Sequence, residues 1–117
     1  MVVEDGSMLP DLRPGDRLLV DPTSYRSRRP RRGEIVVVRD PGDPGRLLVK
    51  RVGATEGESV SPGAPVPTGT VYVLGDVPGR SRDSRSFGPV PLGTVVGRVW
   101  YRYAPPDRRG RVDGDAP

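Results

Sequence analysis

EIVVVR at residues 34–39 and RLLVKRV at residues 46–52 decide how this chain folds. Both runs are dominated by β-branched and aliphatic residues, which fit a pleated surface, and both are bounded by turn-forming residues. Arg32-Gly33 precedes the first, and PGDPG at 41–45 separates it from the second. Working outward, DRLLV at 16–20 follows the turn Arg13-Pro14-Gly15, and VYVL at 71–74 ends at Gly75-Asp76. TVVGRVWYRY at 94–103 is the longest run, with Gly97 as a bulge or bend. No window carries a sustained 3.6-residue apolar period, so the reading is all-β. Gly and Pro supply 31 of the 117 residues, but they punctuate apolar islands and fill no single tract. There is no internal repeat. A chain of this length makes one domain. It is placed at residues 1–104, and residues 105–117, which lack an apolar pattern, are predicted to be a frayed, disordered tail.

Absences narrow the chemistry. Without Cys there is no disulfide, thiolate metal site or cysteine nucleophile; without His the commonest general base and any Ser-His-Asp triad are gone. The longest unbroken aliphatic or aromatic runs have four residues, 35–38 and 71–74. A spanning helix needs about 20 apolar residues and an export signal about 7–15. Of 19 basic residues 18 are Arg, in a net charge of +4, and Lys50 is the one lysine. Arg cannot lose its proton in a protein, whereas a buried Lys can.

Lys50 follows Leu47-Leu48-Val49, where desolvation disfavours the ammonium. At an ordinary pKa near 10.4 only about 0.04% of a lysine is neutral at pH 7; a pKa of about 8 raises that to about 10%. Such a lysine can serve as general base to a serine, a variant of nucleophile-plus-base catalysis. Among eight serines, Ser7 stands in a distinctive setting. Gly6 permits a tight turn before it and Pro10 stiffens the turn behind it.

With these residues in view, GSMLPDLRPGDRLLV resembles the nucleophile segment of the type I signal peptidase family. RRGEIVVVRDP resembles the strand that follows, LLVKRVGATEGESV the lysine segment, and GDVPGRSRDSRSFGPVPLGTVVGRV the closing segment. The four occur in family order over residues 2–100. The resemblance implies an all-β serine endopeptidase with a Ser-Lys dyad and no metal or organic cofactor. Ser7 would be the acylated nucleophile, Lys50 its general base, and Ser81 the hydroxyl that holds the lysine amine. Arg51 with Asp76, and Asp83 with Arg85, would be charged braces, and Asp5, Gly6 and Ser7 would form the oxyanion region. It also implies a precursor protein whose signal peptide or propeptide lies extended beside the site and is cut after small residues. The 24 residues between Lys50 and Gly75 leave no room for the second β-domain of larger members. With six residues before Ser7, the reading is a minimal core without the usual membrane anchor, similar to the proteases that trim the nickel-type superoxide dismutase precursor. The family acts at the outer face of a membrane; a shortened start, a partner-supplied anchor and a cytoplasmic protease all fit this chain.

Departures from the family pattern set the competing readings. Asp5 stands where some members carry an oxyanion-binding Ser and others a Gly. A carboxylate cannot donate a hydrogen bond, and a lost oxyanion donor costs about 2.7–4 kcal/mol. Either the Ser7 N–H serves alone, or Asp5 turns away, or activity is low. Val77 and Arg80 replace Asn residues frequent in the closing segment. A self-cleaving repressor domain needs a cleavage site and a DNA-binding segment before its serine, which six residues cannot hold. The alternative class is an impaired module binding peptide, lipid or nucleic acid. Arg26, Arg28, Arg29, Arg31 and Arg32 form a basic run suited to an anionic membrane, at about 1 kcal/mol per residue near the surface. The six aromatics are not interleaved with that run, which argues against nucleic acid.

Overall fold

The computed structural model describes residues 1–60, 63–79 and 82–112. Its strands are β1 (Arg17–Asp21), β2 (Ile35–Asp40), β3 (Asp43–Thr55), β4 (Thr70–Leu74), β5 (Val90–Pro91), β6 (Val95–Ala104) and β7 (Gly110–Arg111). They form one antiparallel sheet in the order β1-β6-β2-β3-β4-β5, with β7 also paired to β6. The all-β expectation holds, with one α-helical turn among the described residues, α1 (Ser84–Phe87), too short to leave a periodic signal in the sequence.

The unbroken run in β2 has a structural cause. Alternate residues of a strand point to opposite faces, and here both faces are covered. Ile35 and Val37 enter a core with Val3, Met8, Leu12, Leu18, Val99 and Val112. Val36 and Val38 enter a second core with Leu48, Val52, Val71, Val73 and Val90. Full burial of each such side chain is worth about 1.5–3 kcal/mol, so β2 is the partition on which both cores are built.

β3 is long because it serves two partners. Its first part pairs with β2, from Asp43↔Asp40 to Arg51↔Ile35, and its end pairs with β4, from Arg51↔Leu74 to Thr55↔Val71. In β6 the register slips between Val37↔Gly97 and Val38↔Val95, leaving Val96 as a bulge beside Gly97. A Cβ on Gly97 would stand 2.6 Å from the Asp21 carbonyl oxygen, so the end of β1 crosses β6 where only glycine fits.

The tail predicted over residues 105–117 is corrected for residues 105–112; residues 113–117 lie outside the described residues. Pro106–Arg108 forms a 3₁₀ turn and β7 pairs Tyr101↔Arg111 and Arg102↔Gly110. The Val112 N–H donates to the Trp100 carbonyl at 3.0 Å, and its side chain is buried in the first core. A charge pair anchors the segment. Asp16 is 2% exposed and accepts from Arg13 N at 2.9 Å, from Arg108 Nε at 3.2 Å and from Arg108 Nη2 at 2.9 Å. Arg102 adds a contact at 3.4 Å.

Burial pushes the Asp16 carboxyl up, but the bonds from Arg108 and Arg13 and the charges of Arg108 and Arg102 outweigh it and hold the group below its ordinary 3.8. The folded state therefore binds this proton more weakly than the unfolded state. Its stabilisation is complete above the ordinary carboxylate range and is lost as pH falls through the lowered folded value. Asp16→Ala is predicted to lose about 3 kcal/mol in urea unfolding at pH 7, because two guanidinium groups lose their buried partner. The gap from wild type should shrink as the pH drops below the ordinary carboxylate range.

Candidate active site

The segment before Ser7 is laid along β1. Val3 N donates to Asp16 O at 2.8 Å, Gly15 N to Val3 O at 2.7 Å and Leu18 N to Met1 O at 2.7 Å. The chain then turns, with Leu9 N to Gly6 O at 3.2 Å and Leu12 N to Met8 O at 3.0 Å. Met8 and Leu12 sink into the first core and act as the loop's apolar anchors. Ser7 is left 3% exposed, and its carbonyl accepts from Val77 N at 2.9 Å.

Lys50 owes its place to strand periodicity. In β3 the buried row is Leu48, Lys50, Val52 and Ala54, while Val49, Arg51 and Gly53 are half-buried on the other face. The lysine thus occupies an inward position between two core side chains, at 1% exposure. Burial pushes its ammonium below the ordinary lysine value; Asp5 and Asp83 oppose the shift, and Arg85 and Arg46 add to it.

Gly75 joins the serine to the lysine. A Cβ built there would lie 3.3 Å from Ser7 O, 3.5 Å from Ser7 Cβ and 3.6 Å from Lys50 Nζ. The two candidate residues therefore flank the same bare Cα. Gly75 is gripped at both backbone groups: its N–H donates to Asp83 Oδ2 at 2.9 Å and its carbonyl accepts from Arg85 Nη2 at 3.1 Å. Asp83 and Arg85 bond each other at 2.5 Å. Asp83 also caps α1 by accepting from Arg85 N at 2.9 Å. Sequence reading takes Gly75 as the end of a strand and the first residue of the closing segment, with no role at the site. The signal is the Gly-Asp pair straight after VYVL, but the crowding at this glycine comes from a meeting of three segments distant in sequence.

The second predicted pair is bidentate, with Arg51 Nε to Asp76 Oδ1 at 2.9 Å and Nη2 to Oδ2 at 2.8 Å. Arg51 also donates to Asp11 Oδ2 at 2.6 Å and to Gly33 O at 2.9 Å. Asp11, a partner the sequence reading missed, ties the serine loop to the lysine strand. Ser81 lies outside the described residues. Asp5 does not turn away: its Oδ1 accepts the Ser7 N–H at 2.9 Å. Partial burial pushes the Asp5 carboxyl up, but bonds from the Ser7 N–H and hydroxyl and the charges of Lys50 and Arg46 outweigh it and hold it below its ordinary value.

The basic run is partly neutralised within the chain. Arg28 pairs with Glu34 at 2.6 Å, Arg29 pairs with Glu56, and Arg32 lies 3.8 Å from Glu58. Among the described residues no group of three or more acidic side chains is placed to hold a metal ion. A groove of about 610 Å3 opens beside the candidate pair, between residues 1–8 and the 43–50 stretch of β3. Half-exposed Val2 and Leu47 line it.

The signal peptidase, peptidase S26, family matches residues 1–64 and 61–104. The chain belongs to this family. A mitochondrial ATP-independent inner membrane protease subunit 1b of Arabidopsis thaliana is 43% identical over 85% of this chain and 66% of its own length. The mitochondrial inner membrane protease subunit 2 of Danio rerio is 36% identical over 98% and 69%. A probable signal peptidase I of Synechocystis is 30% identical over 94% and 73%. The chain thus spans about two thirds of the length of these relatives. A crystal structure of a signal peptidase I from Enterococcus faecalis superposes with a TM-score of 0.52 at 24% identity, over 61% of this chain and 97% of that one. It shares the fold. Among the described residues, no helix of this family member is long and apolar enough to cross a membrane.

Because Lys50 is the one lysine, 13Cε-lysine labelling gives a single side-chain resonance to follow. Its titration midpoint is predicted to fall below the ordinary lysine value. Gly75→Ala should cost about 1–3 kcal/mol and displace that resonance, since the new methyl reaches both Ser7 and Nζ.

Proposed function

We propose that this chain is the catalytic core of a serine endopeptidase that removes N-terminal signal peptides or propeptides from precursor proteins with a Ser7–Lys50 dyad, cutting after small residues. The observation that carries this reading is the shared approach of Ser7 and a buried, desolvated Lys50 to Gly75. Neutral Lys50 takes the Ser7 hydroxyl proton as the oxygen attacks the scissile carbonyl. The resulting ammonium returns the proton to the leaving amine, and water then hydrolyses the acyl-enzyme. Burial lowers the cost of having the amine neutral, and the Asp83–Arg85 and Arg51–Asp76 braces fix the two walls that meet at Gly75.

The groove supports an extended peptide substrate. Residues 43–50 of β3 have β2 on one side, and β4 begins only opposite Arg51, so the other edge faces the groove along this stretch. Strand addition there uses main-chain bonds for affinity and alternate side-chain pockets for selection. Family membership, and relatives named as inner membrane proteases, favour precursors presented at a membrane.

The test is cleavage of a signal-peptide-bearing precursor in detergent micelles, with mass spectrometry locating the cut. Ser7→Ala and Lys50→Arg are each expected to reduce turnover by about 10²–10⁴-fold or more, although the second keeps the charge. Retained turnover by Lys50→Arg would sink the dyad. The neutral amine is the active form, so kcat/KM should rise with pH through a midpoint below the ordinary lysine value.

A further inference from the structure

Acyl transfer at Ser7 develops negative charge on the substrate carbonyl oxygen, and the Ser7 main-chain N–H is a donor on the same residue as the attacking atom. In the resting structure that donor is taken. Asp5 Oδ1 stands 2.9 Å from Ser7 N, a charge-assisted contact stronger than an ordinary amide bond. Asp5 itself is exposed and lines the groove, with Arg46 on the groove's other wall.

We propose that Asp5 is a displaceable plug of the oxyanion site, bonded to the Ser7 N–H until an incoming substrate carbonyl pushes it out toward Arg46. This rests on Ser7 as the nucleophile. The plug has a second effect through charge. Lys50 is faced by Asp5 from the serine loop, by Asp83 and Arg85 from the α1 end and by Arg46 from its own strand. Asp5 favours the ammonium, so the carboxylate in place opposes loss of the lysine proton. Moving that charge toward Arg46 frees the donor and eases loss of the lysine proton in one displacement. Hydroxyl and N–H of Ser7 both satisfy Asp5 at rest, which keeps the serine out of reaction until a peptide fills the groove.

The experiment compares wild type, Asp5→Ala, Asp5→Asn and Ser7→Ala in precursor cleavage across pH, with the Ser7 amide resonance followed in the full chain. Asp5→Ala is expected to raise kcat/KM about tenfold near neutral pH, inside the 10²–10³ that one oxyanion donor is worth. Its acid limb should move to lower pH, and its Ser7 amide proton should move upfield. Asp5→Asn, which keeps the side-chain shape without the charge, should show the same shift of the acid limb and decides the matter if the alanine variant does not fold. A wild type that cleaves and Asp5 variants that are no faster, with an unmoved pH profile, overturn the plug alone. Faster variants with an unmoved Ser7 amide also overturn it. If no protein cleaves, or Ser7→Ala cleaves as well as wild type, the protease reading fails and takes the plug with it.

Discussion

The cost of hiding one ammonium organises this molecule. Lys50 takes an inward position in β3 that a hydrophobic residue would fill at no electrostatic cost, and it lies between Leu48 and Val52. Burying an amine among aliphatic side chains is tolerable if the group is readily neutralised or if charges are arranged around it. Here Asp5 and Asp83 act in one direction and Arg85 and Arg46 in the other, so the proton is held loosely. An arginine at this position would keep its charge under every ordinary condition.

The charges that surround the lysine also serve as fasteners. Asp83 and Arg85 hold both backbone groups of Gly75, and Arg51 links Asp76 to Asp11 and to the Gly33 carbonyl. The Arg51 bonds join segments 18 to 40 residues apart, the Asp83 and Arg85 bonds reach back 8 and 10 residues, and most of these bonds end on backbone or on partly buried carboxylates. That distinguishes them from exposed ion pairs such as Arg32 with Glu58, which are worth about 0–1 kcal/mol.

What could be read from the sequence, and what could not, follows from the range of the forces involved. β1 to β4 and β6 were legible, each expected run overlapping its strand, because β-branched runs and turn residues are local signals. Lys50 was legible as an oddity, a single lysine among arginines within an apolar stretch. The expected braces were legible only through family resemblance, and the roles assigned to Ser7, Lys50 and Ser81 remain proposals. The crowding at Gly75 gave no local sign, since the atoms that a side chain there would meet belong to Ser7 and Lys50, both distant in sequence. Residues 105–112 were misread because the side chains that hold them to the domain are few, chiefly Val112 and Arg108, and the carboxylate that Arg108 pairs with lies 92 positions away. Asp5 was flagged as out of place; where its carboxylate would turn was beyond any sequence pattern.

The serine loop is anchored from the opposite end of the chain. Arg102 and Arg108 donate to the Asp11 carbonyl at 2.9 Å and 3.4 Å, while Arg51 holds the Asp11 carboxylate. During synthesis Asp11 emerges well before the two arginines that tether its carbonyl, which lie 91 and 97 residues further along the chain. The serine loop is therefore fully tethered only after the segments that carry Lys50 and Gly75 have been made.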